Sequence, residues 1–375
     1  MTFLFILTIL LANQVIYSLH SNKTISCCDK QNDPSSLSCF FKYNNPEQLQ
    51  SKQKYLAGSP AGGLGNQLFI MFTTISYAVK YDLPFIFEYN LDFGYRKAHW
   101  NGMYSSLSCF STKKYPQWYN ATKSISTYNE TSFYYTEIPS PTQLNMNNKF
   151  TNGLKLNGYY QSYKYFDSYK RVIFHTMNTN NLQSQIYDLY YHPYFNTTKL
   201  VVAIHFRIGD YLDNTLLYPI MPLQYYINAI NQIMTDLNTP KHKLSLLCVY
   251  DPKDNNRIET DYLAPLRLKF HGVEFIVVDS AMPDWHQMLL MSLCKVIIIP
   301  NSTFSWYVSK CIIYDISIQQ YCNVYTMYTT YTMYTTCTTY KYIILYVVQV
   351  YYIILYNTYI LNIHIYTLYI CLLYT

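Results

Sequence analysis

Leu200-Val201-Val202-Ala203-Ile204-His205-Phe206 runs without a break into Arg207-Ile208-Gly209-Asp210-Tyr211, and this stretch decides how the chain is read. Its first seven residues are apolar and β-branched almost throughout, as in a strand covered on both faces of a parallel sheet. Polar residues gather only at the C-terminal end. In open α/β sheets that end faces the ligand crevice, and an arginine there presents a planar fork of donors suited to a pyrophosphate. Arg207 is therefore the candidate phosphate clamp. Asp210, directly after Gly209, fits a turn cap or an orienting partner for Arg207 better than it fits chemistry. Alternation along the strand puts His205 on the face of Ala203 and Arg207, where a half-buried hydrogen-bonded imidazole and a catalytic base are both open readings.

Toward the N-terminus, Gly62-Gly63-Leu64-Gly65-Asn66-Gln67-Leu68-Phe69 places three glycines and a pair of amides ahead of a helical pattern. Glycines allow positive φ and close ligand approach, and the amides of Asn66 and Gln67 suit a sugar or a phosphate. Leu68, Phe72, Ile75 and Val79 follow at the spacing of one buried helix face. A tight turn with capping amides explains the same residues equally well. Toward the C-terminus, the run from Met288 to Trp306 reads as helix, buried strand and a hydroxyl-rich loop that opens another helix. A helix N-terminus carries unpaired N–H groups and partial positive charge, so Ser302, Thr303 and Ser305 are candidate anion ligands, with simple capping as the competing role. Trp306 fits a core position.

Between these elements, apolar strands at Leu244 to Tyr250 and Val273 to Val278 alternate with a helical pattern at Leu223, Tyr226, Ile230, Ile233 and Leu237. That alternation is the mark of parallel βαβ units. Asp279, just past the second strand, is placed to reach a nucleobase edge, although a loop-turn role fits it better.

The three motifs in this order resemble the alpha-1,2-fucosyltransferases, glycosyltransferase family 11. The family's Gly-Gly-Leu-Gly-Asn-Gln loop is matched by Gly62 to Gln67, its His-x-Arg-x-Gly-Asp-Tyr motif by His205, Arg207, Gly209, Asp210 and Tyr211, and its Asn-Ser-Thr-Phe-Ser-Trp segment by Asn301 to Trp306. Gly158-Tyr159-Tyr160-Gln161-Ser162 is a lesser match. The resemblance implies an α/β, GT-B-like fold of two Rossmann-type halves facing across a cleft, with the donor half incomplete at its C-terminus. It also implies inverting transfer of L-fucose from GDP-β-L-fucose to the 2-hydroxyl of a terminal β-galactoside, without cofactor or metal. By motif position, Arg207 clamps the β-phosphate, Ser302, Thr303 and Ser305 line the donor phosphates, and Gly65, Asn66 and Gln67 sit at the cleft floor. The base for the acceptor hydroxyl stays unassigned among Asp210, His205, Asp213 and Glu88. Three positions depart from the family: Ile208 replaces a second arginine, Gln287 an acidic residue, and Tyr307 a second tryptophan. A catalytically inactive glycan- or nucleotide-binding protein is the alternative. A membrane-embedded interaction protein is a third.

The resulting layout assigns 1–19 to a signal peptide or short signal anchor and 20–54 to a flexible stem. An acceptor-side half follows at 55–162, a GDP-fucose-binding half at 163–315, and a low-complexity tract at 316–375. The tract starts as a Tyr/Thr repeat and, past Lys341, has no charge apart from His364. It reads as a membrane span, as an aggregation-prone β segment, or as translated simple-repeat DNA from a gene-model error. It also inflates the aromatic content to 18% of the 375 residues, so the rest of the chain has an ordinary globular composition. The apolar run from Phe3 to about Leu19 points to entry into the secretory pathway, and the resemblance implies a Golgi membrane with a lumenal catalytic domain. Sequons at Asn22, Asn120, Asn129 and Asn196 agree with that, whereas the one at Asn301 lies in the donor loop and is expected to stay bare. Cys27, Cys28, Cys39 and Cys109 are open to bridging in an oxidising lumen. No Cys or His spacing suggests zinc. Net charge is +6 without a basic block, so nucleic acid is not implied.

Overall fold

The computed structural model describes residues 54–93, 96–116, 125–132, 134–146, 153–215, 218–311 and 323–326. The N-terminal segment 1–19, the stem up to residue 53, Cys27, Cys28 and Cys39, the sequons at Asn22 and Asn120, and nearly all of the 316–375 tract lie outside them.

Two wholly parallel sheets carry the chain. The first has the order β2-β1-β6-β5, built from β1 (Tyr55–Gly58), β2 (Phe85–Phe87), β5 (Ser126–Asn129) and β6 (Gly153–Asn157). The second has the order β11-β10-β7-β8-β9, from β7 (Leu200–His205), β8 (Leu244–Val249), β9 (Glu274–Val277), β10 (Val296–Ile299) and β11 (Asn323–Thr326). A short antiparallel hairpin, β3 (Asp92–Phe93) with β4 (Arg96–Lys97), stands apart from both. This is the two-half α/β architecture that the resemblance implies, and the parallel strands of the second sheet are those expected from the alternation of strands and helices. Strands β7, β8 and β10 are apolar and buried along most of their length because parallel strands are covered on both faces.

The helices are α1 (Leu64–Lys80), α2 (Pro141–Met146), α3 (Lys170–Thr176), α4 (Thr179–Tyr194), α5 (Leu223–Asp236), α6 (Asn255–Ile258), α7 (Ala264–Lys269), α8 (Asp284–Ser292) and α9 (Thr303–Cys311). The β11 strand extends the second sheet past α9 and takes in the first residues of the Tyr/Thr repeat, Tyr325 and Thr326.

Helix α1 departs from the single buried face that its spacing predicts. Thr73, Thr74 and Ser76 are buried along with Leu68, Phe72 and Ile75, and only Asn66 in the first turn and the last turn reach solvent. The reason is its position: α1 packs on β1 and β2 on one side and on α3 and α9 on the other. Phe69 lies 4.7 Å from Trp306 and Phe72 lies 5.3 Å from Tyr307, ring centre to ring centre. Such aromatic pairs contribute about 0.5–1.5 kcal/mol each beyond the area they bury. Trp306 is thus a core residue, and Tyr307 is buried beside it in the same core. One apolar core runs from the first sheet through α1 and α9 to the inner face of the second sheet, and a second core lies on the outer face against α5.

The close approach of α1 to α9 depends on Gly65. A Cβ at this position would stand 2.5 Å from the carbonyl carbon of Thr303 and 2.6 Å from the nitrogen of Phe304, both backbone atoms that cannot rotate away. Gly63, two residues earlier, faces open space. Gly65→Ala is therefore expected to lower the unfolding free energy by about 1–3 kcal/mol, the usual cost of overpacking. Gly63→Ala should stay within about 0.5 kcal/mol of the parent. Urea denaturation of the two variants tests the contrast.

Candidate functional site

In the second sheet the strand order reverses once, and two of the motifs stand at that point. The second sheet grows from β7 outward through β8 and β9, then returns to place β10 on the other side of β7. The His205–Tyr211 loop leaves β7 and the Asn301–Trp306 segment leaves β10, so the two straddle the crevice that forms where neighbouring connections diverge. In the first sheet β6 is inserted between β1 and β5, so that the glycine loop leaving β1 and the Gly158–Ser162 segment leaving β6 lie on adjacent strands.

Arg207 emerges from β7 with its side chain about one-fifth exposed. One Nη donates to Asp210 Oδ1, and the guanidinium carbon lies 5.0 Å from the centre of the Tyr211 ring. Its Nε is buried with no acceptor. Tyr211 in turn donates its hydroxyl to the Asn301 carbonyl at 3.0 Å, tying the two loops together across the switch point. Asp210 serves as the orienting partner of Arg207. Its second oxygen lies 3.7 Å from Nη2 of Arg96, which comes from β4 in the other half.

His205 is 6% exposed, lies against Phe304 with ring centres 5.2 Å apart, and has a buried Nδ1 without a partner. Burial, followed by the Arg207 charge, pulls its pKa from 6.5 down to about 3. The imidazole is therefore neutral across the physiological range, and its weak basicity makes it a poor proton acceptor for a sugar hydroxyl.

The two amides of the glycine loop do different work. Gln67 is fully buried, donates from Nε2 to the carbonyls of Gly62 at 2.8 Å and Lys97 at 3.2 Å, and accepts from the Tyr104 hydroxyl at 2.9 Å. A ligand cannot reach an amide committed in this way. Gln67 instead locks the loop to the hairpin that bears Arg96, which corrects its assignment as a donor-binding side chain. Asn66 accepts from Gln161 Nε2 at 2.9 Å and joins the loops that leave β1 and β6. Gly62 has φ +72°, the left-handed region that favours glycine. Gly65 packs against the first turn of α9, so its contribution to the site is the approach it permits.

Ser305 is also corrected. It is fully buried and donates to the Ser302 carbonyl at 3.3 Å, so its hydroxyl faces the helix and only its backbone N–H remains for an anion. Ser302 is 5% exposed just before the helix, and Thr303, half-buried, opens it. The first turn of α9 has no acidic residue, which leaves its positive end uncompensated. Asn301 donates from Nδ2 to the Pro219 carbonyl at 3.0 Å, which occupies the nitrogen that a glycan would need.

A cavity of about 440 Å³ opens at the C-terminal ends of β8 and β9, lined by Tyr250, Pro252, Asn255, Val277, Asp279 and Gln287. Asp279 Oδ1 accepts from the Ala281 N–H at 2.9 Å, a turn contact that leaves the residue at the cavity wall. Gln287 donates to the Met282 carbonyl at 2.8 Å, so its amide already has a backbone partner.

Of the remaining carboxylates, Glu88 is held by Lys155 at 2.8 Å and by the Ser59 hydroxyl, and Asp213 is exposed in the short helical turn Gly209–Asn214. Two others were missed. Glu130 accepts the N–H groups of Tyr159 and Tyr160 at 2.8 and 3.0 Å, and burial raises its pKa despite those bonds. Asp254 accepts the Gly209 N–H at 2.9 Å, and burial raises its pKa as well. No motif marks either residue, because each is brought in by a loop from a distant strand. Cys109 is half-buried and donates to the Ser106 carbonyl at 3.3 Å. Among the described residues, no group of three or more His, Cys, Asp or Glu could hold a metal ion, and no helix is long and apolar enough to cross a membrane.

No protein-family model matches the chain, and no curated protein sequence does. Among solved structures it is similar to a mutant of FUT1 from Arabidopsis thaliana in complex with GDP, at 14% identity and TM-score 0.38 over 74% of this chain and 73% of that one. It is similar to the fucosyltransferase NodZ from Bradyrhizobium, at 14% identity and TM-score 0.38 over 69% of this chain and 92% of that one. A third likeness is to POFUT1 in complex with GDP, at 10% identity and TM-score 0.40 over 74% of this chain and 98% of that one.

The buried imidazole has a measurable signature. Below pH 6.5 an unfolded chain protonates this histidine, whereas the folded chain resists down to about pH 3. Stability from this group is therefore present above pH 6.5 and is lost as pH falls, by up to about 1.4 kcal/mol per unit. His205→Phe, which retains a ring against Phe304, should show a shallower fall in melting temperature than the parent between about pH 6.5 and 4. Thermal melts across that range test it.

Proposed function

We propose that this chain is an inverting fucosyltransferase that moves L-fucose from GDP-β-L-fucose to the 2-hydroxyl of a terminal β-galactoside. The observation that carries the reading is Arg207, an arginine at a switch point with a buried Nε that has no acceptor. A buried donor left unpaired costs about 1–3 kcal/mol, and an anionic oxygen placed beside it removes that cost. The first turn of α9 follows the neighbouring strand and offers backbone N–H groups to the same anion. The cavity beyond β8 and β9 is of a size to take a nucleobase, with Asp279 at its wall.

Cleavage of the fucosyl–phosphate bond leaves an oxocarbenium-like sugar and a departing diphosphate. The main demand is stabilisation of negative charge on the leaving group. In this reading Arg207 and the start of α9 meet that demand without a metal, Asp210 holds the guanidinium in place, and Asn66 helps to shape the acceptor side. The same reading places the protein at a Golgi membrane, entered through its N-terminal segment, with the catalytic part in the lumen and a galactose-terminated glycan as acceptor.

A second reading, nucleotide or glycan binding without turnover, is favoured by one observation. Asp210 and Glu88 are engaged by cations, and His205 is held neutral, so three of the four candidate bases have a competing role. Incubation of the protein with GDP-fucose and a β-galactoside separates the two. Arg207→Lys keeps the charge but loses the fork, and is expected to reduce kcat/KM by roughly 100- to 1000-fold. GDP binding with no fucosyl transfer by the parent would establish the second reading instead.

A further inference from the structure

We propose that a second cavity, between the turn that follows β4 and the start of α8, is a binding site for one neutral pyranose ring of a glycan. The inference concerns binding alone and does not depend on the reading of Arg207. The cavity has a volume of about 210 Å³, and both halves close it: Tyr89, Leu91, His99, Trp100 and Asn101 come from the first and Trp285 from the second. A site for a drug-sized ligand has roughly 300–1,000 Å³, so this one suits a single ring.

The aromatic walls are set before any ligand arrives. The Trp100 indole N–H donates to the Asn90 carbonyl at 2.8 Å, and its ring lies 5.2 Å from that of Tyr89, centre to centre. The Tyr89 backbone N–H donates to the Thr112 hydroxyl at 2.9 Å. Trp285 reaches across from α8 to Gly102, where a Cβ would stand 2.7 Å from the indole ring. Its place at the cavity therefore needs a residue without a side chain on the facing turn.

Polar groups on the same lining are left without partners. Among the described residues, the Asn101 amide, the Trp285 indole N–H and His99 Nδ1 engage in no hydrogen bond. Asn101 is exposed, and the other two atoms are open to solvent. His99 Nε2, across the ring, stands 3.0 Å from Asp284 Oδ1 without the alignment of a hydrogen bond.

Flat rings with donors and acceptors beside them match a pyranose, which has a face of C–H groups and a rim of hydroxyls that both donate and accept. No lysine or arginine lines the cavity, and Asp284 stands beside His99, which disfavours an anion. A wholly apolar ligand would cover the three polar groups without pairing them. Ala98 and His99 follow Arg96 by two and three residues, so the chain that meets Asp210 beside Arg207 leads straight into the cavity. Where the transferase reading also holds, the ring bound here belongs to the acceptor.

A gap in the packing between halves is the structural alternative. It predicts changed stability in variants of the lining and no affinity for a sugar. The test measures binding of methyl β-galactoside, methyl β-glucoside and methyl α-mannoside to the full-length protein by ligand-observed NMR, for the parent, Asn101→Ala and Trp285→Leu, with melting temperatures taken without ligand. The expected result is binding of at least one pyranoside by the parent. Asn101→Ala should weaken it about 2- to 10-fold at an unchanged melting temperature, the range for losing one neutral hydrogen bond, and Trp285→Leu should weaken it further. Binding of none of the three by the parent, or equal affinity in the parent and Asn101→Ala, overturns the proposal. If Trp285→Leu fails to fold, Asn101→Ala, an exposed position, decides alone. GDP binding, measured in parallel, judges the Arg207 crevice separately: its absence strikes that reading, while pyranoside binding decides this one.

Discussion

Everything in the site depends on the absence of one side chain. Because Gly65 has no Cβ, the first turn of α1 meets the backbone of Thr303 and Phe304 directly, and two helices from different sheets begin side by side. Helix α9 starts at the switch point of its sheet, and α1 starts beyond the end of β1. Bringing their first turns together therefore brings the loops of the two sheets together. The aromatic pairs of Phe69 with Trp306 and Phe72 with Tyr307 then fill the space one and two turns further along. A larger residue at position 65 would separate the helices at the end where the site lies and leave those rings with a gap.

Charge is sparse in this chain, at 13% of residues, and its placement follows from that arrangement. Arg207 and Asp210 come from one loop, whereas Arg96 arrives on a hairpin that belongs to neither sheet. Their meeting links the halves through a polar contact at the mouth, while the aromatic core links them below. The apolar contact does not depend on solvent ions. The polar one is exposed enough to be screened and exchanged, which suits a ligand that must enter and leave.

Much of the fold was legible because parallel strands and their helices leave strong local patterns. The strands β7, β8 and β10 are apolar runs bounded by polar loops, and the alternation with helices fixes a parallel sheet. The burial of α1 on nearly all sides was not legible, since residues such as Thr74 and Ser76 look solvent-facing until β1 and the Tyr163–Tyr165 turn cover them. Within the candidate site, motif position pointed to Arg207, Asp210 and the start of α9, which the fold sets at the ends of the neighbouring strands β7 and β10. It failed for Gln67 and Ser305, because a polar residue in a motif looks the same whether it faces a ligand or satisfies buried backbone carbonyls. It also missed Arg96, Glu130 and Asp254, whose contacts span 29 or more positions in the chain. Local sequence carries no trace of such pairings.

Gln67 has a consequence for how such a protein responds to mutation. One buried amide satisfies the glycine loop, the arginine hairpin and the Tyr104 hydroxyl at once, so a change there loosens three segments without touching any ligand. In a systematic alanine scan it would register as a loss of ligand affinity and be counted among the contact residues. The amide is better regarded as a keystone: it bears on recognition only through the shape it imposes on its neighbours. A sequence motif can thus be retained for the sake of scaffolding alone, even where every letter of it suggests chemistry.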